Sequence, residues 1–307
     1  MISILLASYN GEKFIAEQIN SLLQQTIHDF RLYIRDDRST DSTFHIIQGF
    51  AEKHPDKIFV AQNDANLGAK YNFMKMMIEH KDAYVMLCDQ DDVWLTEKIE
   101  VTLAKMKKME SEFGEKTPLL VHTDLRVVNE KLETVSPSFK AAMNADYSKT
   151  KLHHQVIQNT LTGCTVMYNR ALADLITQTP SFMVAHDWWL MLIASAFGHI
   201  SSLDNQTILY RQHTKNEIGA RDVRATGYKI NKLLHYREIK NALNDTYLQA
   251  QCFLDVHKER LTEGQKEFLL AYCDIPNHSK LIRWFIICRL GVLKNGWARK
   301  AANFIFI

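Results

Sequence analysis

Long apolar runs are missing from this chain of 307 residues; no stretch approaches the ~20 apolar residues that a membrane-spanning helix needs. The N-terminus enters an apolar segment at Ile2 without a basic n-region or a small-residue cleavage site, so no signal peptide is expected. Cysteine is sparse as well. Cys88, Cys164, Cys252, Cys273 and Cys288 are scattered, odd in number and without CxxC spacing, which argues against a disulfide framework and against a zinc site and fits a reducing, cytoplasmic setting. An excess of one charge is lacking: 37 basic and 35 acidic residues leave a formal +2, so no polyelectrolyte attraction to nucleic acid is implied and any basic patch is local. Repeats and low-complexity tracts are absent. What remains, 46% hydrophobic and 23% charged residues, suffices for one large core or two moderate ones.

The first hundred residues alternate short apolar runs with helical stripes. "ISILLAS" reads as a strand, Ile15, Ile19, Leu22 and Leu23 as one helix face, "FRLYIR" as a strand, and Phe44, Ile47, Phe50 and Ala51 as the next helix face. "KIFVAQ", "KYNFMKMMIEH" and "AYVMLCD" continue the series as strand, helix and strand, which is βαβ grammar and predicts an α/β, doubly wound, mostly parallel sheet. A helix is expected from about Thr96 to Glu112, then a strand at "PLLVHTD". Residues 126–160 read as loops with an edge strand, "CTVMY" and "DWWLMLIASAF" restore the core, and about 85 residues of helical pattern follow Asp222. We therefore expect an α/β domain over residues 1–220 and an all-helical extension over 221–307.

Three strand ends carry chemistry. "YVMLC" is continuously apolar, suits a strand buried on both faces, and ends in Asp89, Asp91 and Asp92. Carboxylates this close raise one another's pKa, so they call for a cation or a proton-transfer role. A solvated acidic turn is the plain alternative. Two carboxylates one residue apart at a strand end can hold Mg²⁺ or Mn²⁺, which prefer oxygen ligands and bridge to phosphates. The string also fits the DxDx[TV] motif of haloacid-dehalogenase-like phosphatases, with Asp89 as nucleophile, although that motif prefers the first strand of its domain. "LYIRDDRSTDS" closes a second strand with Asp36 and Asp37, where an acceptor can bind a pyrimidine N–H or a ribose hydroxyl; Ser39 to Ser42 are explained by helix capping alone. "LLASYNGEKF" places Tyr9, Asn10 and Gly11 in a strand-to-helix turn that can bracket a base, or is simply a tight Asn-Gly turn.

Taken in order, "ILLASYNGEKFIAEQINSLLQQT", "IRDDRSTDST", "NDANLGAKYNF", "CDQDDVW" and "HDWW" resemble the inverting glycosyltransferases of family 2, with the GT-A fold, over residues 1 to about 215. Within that family, "SYNGEKFIAEQI", "DQDDVW" and "YRQH" are most similar to bacterial rhamnosyltransferases that use dTDP-rhamnose. The resemblance implies that Tyr9 packs on the base, that Asp37 accepts from its imide N–H, and that Asp89 and Asp91 stand at the family's DxD, with Asp91 on the metal and Asp89 nearer the ribose. It implies that Asn66 and Gly68 shape a loop from which Lys70 reaches the diphosphate. Two departures stand out: Arg38 occupies the glycine of the usual "DDGS", and Thr96 replaces a proline after the acidic motif.

On the acceptor side, Asp187 opens "DWWLMLIASAF", where N-capping alone would justify an Asp. The resemblance makes it the base that removes the acceptor hydroxyl's proton in a one-step inversion. Adjacent Trp188 and Trp189 point about 100° apart on a helix, so one belongs to the core and the other is free to stack on a sugar. His186 reads as structural. Thr162 and Gly163 in "TGCTVMY" sit where the family forms its acceptor wall. "LYRQHTKNEIG" supplies Arg211, His213 and Lys215, either a solvated basic loop or cations for the leaving diphosphate, with His213 a candidate for the metal shell.

Residues 276–307 hold Lys280, Arg283, Arg289, Lys294, Arg299 and Lys300 and no acid, a formal +6. Interleaved Trp284, Phe285, Ile286, Ile287, Trp297, Phe304 and Phe306 give the composition of an interfacial anchor; packing or homo-oligomerisation would use the same apolar positions. The combined expectation is a metal-dependent transferase of the cytoplasm, peripheral on the inner membrane face, moving rhamnose or another UDP- or dTDP-linked sugar to a glycan or polyprenyl-linked acceptor in cell-wall or capsular polysaccharide synthesis. The phosphatase and an inactive membrane scaffold are the alternatives from other classes.

Overall fold

The element order follows the apolar grammar of the sequence. In this computed structural model, which describes residues 1–213, 236–296, 299–300, 303–304 and 307, the first half runs β1 (Ile2–Ser8), α1 (Ile15–Leu23), β2 (Phe30–Asp36), α2 (Thr43–Lys53), β3 (Ile58–Gln62), α3 (Ala69–Glu79), β4 (Tyr84–Cys88). Short β5 (Val93–Trp94), α4 (Lys98–Phe113), β6 (Leu119–Val128) and β7 (Thr134–Ser136) follow, then short helices α5 (Phe139–Ala142) and α6 (Leu152–Gln155). A 3₁₀ turn (Gly163–Thr165) leads into β8 (Val166–Asn169) and α7 (Arg170–Ala173), and α8 (His186–Phe197) precedes the long β9 (His199–Arg211). The remaining described helices are α9 (Tyr236–His257), α10 (Glu263–Cys273) and α11 (Lys280–Leu290).

By packing, the chain divides into two compact units that are not contiguous in sequence. The first comprises residues 1–139, 161–179 and 198–220; the second comprises 140–160, 180–197 and 221–307. The domain expected over 1–220 follows chain order, whereas residues 140–160 and 180–197 group with the C-terminal helices.

The first unit holds the whole sheet, in the order β3-β2-β1-β4-β8-β6-β9-β5, with β7 paired to β6. Its first four strands are mutually parallel, as βαβ crossovers require. All five residues of β4 are buried, which accounts for its lack of alternation. In α1, Ile15, Ile19 and Leu22 recur on one face and are fully buried against the strands, each such side chain contributing about 1.5–3 kcal/mol. Beyond β4 the sheet turns mixed: β8 runs antiparallel to β4 and β6, and β9 runs parallel to β6 with register shifts at Thr123 and Asp124. Strands β5 and β9, and the short helices α5 and α6, were not expected from sequence.

The second unit is helical. Trp189 of α8 is 1% exposed and meets Phe253 of α9 edge-on at 5.5 Å, so it is the core member of the tryptophan pair. A capping box at Thr262 and Gln265 starts α10. No described helix is long and apolar enough to cross a membrane.

Candidate active site

Register brings the acidic strand ends side by side. Ser8 pairs with Asp36 across β1 and β2, and Leu6 with Cys88 across β1 and β4, so the carboxyl ends of β2, β1 and β4 are neighbours. In open α/β sheets ligands bind at such ends.

At the end of β1, the Tyr9 N–H donates to Gln90 Oε1 and Gln90 Nε2 donates back to the Tyr9 carbonyl, both at 2.9 Å. This pair ties the β1 turn to the loop that carries Asp89 and Asp91. Gly11 leaves room for this pair, because a Cβ there would stand 2.2 Å from Gln90 Oε1 and displace the Gln90 side chain. The Asn10 N–H donates to Ser39 Oγ, and Asn10 Oδ1 accepts from the Thr40 N–H, joining the turn to the β2 end as well. Tyr9 is 45% exposed, which suits a stacking platform.

At the end of β2 both acids are absorbed by the fold. Asp36 accepts from the Ser39 N–H, Ser39 Oγ and Gln62 Nε2. Asp37 Oδ1 accepts from Asn63 Nδ2 (2.8 Å) and the Leu67 N–H (2.9 Å), and its Oδ2 from the Gly68 N–H (2.8 Å). Asp37 is thus the anchor of the loop holding Asn66 and Gly68, a role with no trace in its sequence context. Gly68 has φ +80° just before α3, whose first turn carries Lys70. Arg38, at the glycine position of the usual motif, adopts φ +67°, so the turn keeps the left-handed backbone despite the side chain.

At the end of β4 the acids are held differently. Asp91 Oδ2 lies 2.7 Å from His213 Nε2, whose ring stacks on Phe14. Asp92 is fully buried; its Oδ1 accepts from the Arg211 N–H, and its Oδ2 accepts nothing. Burial pushes the Asp92 carboxyl well above the usual carboxylate range, and the Asp91 and Asp89 charges add to the rise. Asp89, Asp92 and Cys164 offer ligand atoms within 4.8 Å of one another. Burial also raises the Cys164 thiol, so it stays protonated and poorly suited to a hard cation. Beneath them Lys98 is 0% exposed, its Nζ is unpaired and 4.5 Å from the Trp94 ring centroid, and burial brings its amine down to about 8.

This donor set fits a divalent cation. Three crowded carboxylates and an imidazole beside Asp91 match the hard oxygen and borderline nitrogen ligands of Mg²⁺ or Mn²⁺. Of the expected trio Asp89, Asp91 and His213, the last two are in contact. Sequence reasoning missed Asp92 as the most deeply buried of the acids, although it is adjacent to Asp91.

Arg211, expected near the diphosphate, acts as a clamp within the fold. Its side chain is 3% exposed; Nε donates to the Asp91 carbonyl, Nη1 to the Glu130 carbonyl, and Nη2 pairs with Glu17, while the guanidinium lies over Phe14. These bonds fix the loop of Asp91 and Asp92 from the end of β9. Lys215 lies outside the described residues.

The turn with Thr162 and Gly163 belongs to the first unit, and Cys164 sets it beside Asp89 and Asp92. Asp187 and Trp188 belong to the second. Asp187 is 8% exposed in the first turn of α8, and its Oδ1 accepts from the Trp188 N–H at 2.6 Å. Trp188 is half-buried and its Nε1 donates to the Gln155 carbonyl. Burial pushes His186 down to about 3, a neutral structural histidine as expected.

Known proteins resemble this chain in sequence and in fold. The family model for Glycosyl transferase family 2 matches residues 3–113, the segment that supplies all three strand ends. The chain is similar to the dTDP-rhamnosyl transferase RfbG of Shigella flexneri, 27% identical over 232 residues, 70% of this chain and 74% of that protein. Among solved structures it is similar to S. aureus TarS 1-349, with TM-score 0.58 and 20% identity over 94% of this chain and 72% of that one; TarS 1-349 is also solved with UDP and with UDP-GlcNAc. It is similar to the mannosyltransferase PcManGT from Pyrobaculum calidifontis in complex with GDP-Man and Mn²⁺, with TM-score 0.53 and 14% identity over 99% of this chain and 87% of that one. The fold is that of the GT-A glycosyltransferases. Residues 3–113 thus match glycosyltransferase family 2, and the likeness to glycosyltransferases extends over most of the chain, which argues against the phosphatase alternative.

Proposed function

We propose that the protein is an inverting, metal-assisted transferase that moves a sugar, rhamnose from dTDP-rhamnose as the leading candidate, to a glycan or lipid-linked acceptor of a cell-wall or capsular polysaccharide. The observation that carries this reading is the alignment of the β2, β1 and β4 ends, with Tyr9, the Asp37-anchored loop and Asp91 in one row. The rhamnose assignment draws on the likeness to RfbG.

Tyr9 offers its exposed ring to the base. Asp37 holds the Asn66–Gly68 loop in place and has lone-pair capacity left for one more donor. Lys70 serves the diphosphate. Asp91, Asp89 and His213 are the residues that would hold Mg²⁺ or Mn²⁺, and the bound cation supplies Lewis-acid stabilisation of the departing diphosphate. Asp187 takes the proton of the acceptor hydroxyl as its oxygen bonds to the anomeric carbon; the bond from that carbon to the diphosphate oxygen breaks, and the nucleoside diphosphate leaves with the electron pair. Thr162, Gly163 and Trp188 border the acceptor. The exposed side of α11, with Leu281, Ile282 and Phe285 between Lys280 and Arg289, supports a peripheral position on an anionic membrane; Trp297 and Phe306 lie outside the described residues.

The test is a thermal-shift series with dTDP, UDP and their sugars, with and without Mn²⁺, followed by transfer assays. Wild type is expected to shift most with dTDP-rhamnose and Mn²⁺, and Asp187→Asn to keep the shift but lose transfer by ~10²–10⁴-fold. Absence of any nucleotide response overturns the reading, and intact polysaccharide synthesis in an Asp187→Asn strain favours the scaffold.

A further inference from the structure

The second unit contains a polar cavity of about 460 Å³ that the reaction above does not use. Lys149, Lys300, His154, Asn144, Asn295 and Asp146 line it. Among the described residues neither Lys149 nor Lys300 forms an ion pair or a side-chain hydrogen bond, so two ammonium groups are available to a ligand. Asp146 is the only carboxylate among the lining residues, and its Oδ1 is occupied by the N–H and Oγ of Ser148. Burial and the neighbouring His153 bring His154 down to about 4, which makes it a neutral group near pH 7. Two lysines against one aspartate leave the wall at a formal +1.

The wall is built rather than incidental. The Asn295 N–H donates to Gln158 Oε1 at 2.7 Å, and Arg299 Nη2 donates to the Met143 carbonyl at 3.0 Å, so the two segments that supply the lining, far apart in sequence, are tied together. Asn144 and Gly296 both take positive φ, 48° and 83°, and a Cβ at Gly296 would lie 3.4 Å from Asn144 Nδ2. Ammonium and amide donors converging on a pre-formed concavity are the donor set for phosphate oxygens. Gly291 and Leu293, also on the wall, follow α11 directly in the chain. That helix exposes Leu281 (74%) and Phe285 (66%), an apolar face on the element that leads into the cavity wall.

We propose that this cavity binds a diphosphate group, carried by a prenyl-type lipid whose chain lies along the exposed face of α11. The proposal rests on the transferase reading for its place in the reaction, as the site that docks a lipid-linked acceptor, but the binding itself does not depend on that reading.

The experiment is calorimetric titration of the full chain, with saturating dTDP present to occupy the donor site, using inorganic pyrophosphate and farnesyl diphosphate as probes. Farnesyl diphosphate is expected to bind at least tenfold more tightly than pyrophosphate. The double variant Lys149→Gln/Lys300→Gln should weaken both at least tenfold, and Leu281→Ser/Phe285→Ser should weaken only farnesyl diphosphate. The dTDP thermal shift of both variants should match wild type, which shows that they fold. No saturable binding of either probe, or unchanged affinity in the lysine variant, overturns the site. Equal affinities for the two probes overturn the lipid source and assign the cavity to free phosphate. Lysine-dependent binding of farnesyl diphosphate without any dTDP shift leaves the cavity standing and sinks the transferase reading instead.

Discussion

The two acidic strand ends look alike as sequence, Asp36-Asp37 after β2 and Asp89 to Asp92 after β4, yet the fold treats them oppositely. At β2 the carboxylates accept hydrogen bonds from Ser39, Gln62, Asn63, Leu67 and Gly68, so their charge is answered by the chain's own donors. At β4 Asp92 keeps an oxygen without a partner, its carboxyl is pushed up by burial and by its neighbours, and Asp91 faces an imidazole. Carboxylates answered by several of the chain's own donors hold a loop; crowded ones, with one buried oxygen of Asp92 left over, invite a cation. The difference lies in the donors that the surrounding loops deliver.

Substitutions can break or sharpen this contrast. The largest effect is expected at Asp91: Asp91→Asn should lower kcat/KM by about 10²–10³-fold and abolish any Mn²⁺-dependent thermal shift, with the urea midpoint little changed. Asp37→Asn should do the reverse at the level of stability. It turns an amide NH₂ toward N–H donors of the Asn63, Leu67 and Gly68 set, at a cost of about 1–3 kcal/mol, read from urea unfolding. If the two variants lose equal stability, the contrast fails.

Lys98 gives a smaller, pH-dependent effect. Its amine titrates at about 8 in the fold against 10.5 in the unfolded chain. Between those values the unfolded state binds more protons, so stability rises with pH across that window. The contribution is about 1–3 kcal/mol. Lys98→Met should remove the rise and be at least as stable as wild type near pH 7; urea midpoints at pH 7, 8.5 and 10 measure it. The smallest change is Arg38→Gly, which relieves a left-handed non-glycine residue at φ +67° and should stabilise by about 1 kcal/mol. A loss on Arg38→Gly would show that the arginine side chain matters more than its backbone.

The legible part of the fold was its parallel half. Fully buried strands such as Tyr84–Cys88 cannot alternate, and the stripes of α1 and α2 face the sheet, so periodicity reports them directly. β9 was missed because its first eight residues, His199–Gln206, are exposed or half-buried and its pairing with β6 slips register. In the candidate site, Asp37 and Asp91 stand out in the sequence because apolar strands ending in acid are conspicuous. The clamp role of Arg211 was not legible, since a basic loop looks the same whether its guanidinium faces solvent or bonds Asp91, Glu130 and Glu17.

The sequence by itself determined the βαβ order, the three strand ends and the kinds of ligand atom they present, because hydrophobic period and residue type are local properties. Only the tertiary structure decided which carboxylates are answered by the chain's own donors, which cation is a clamp, and that residues 140–160 and 180–197 pack with the C-terminal helices. Those outcomes depend on donors and apolar surfaces contributed by segments as much as 194 residues apart, such as Glu17 and Arg211, and no local pattern encodes which of them will meet.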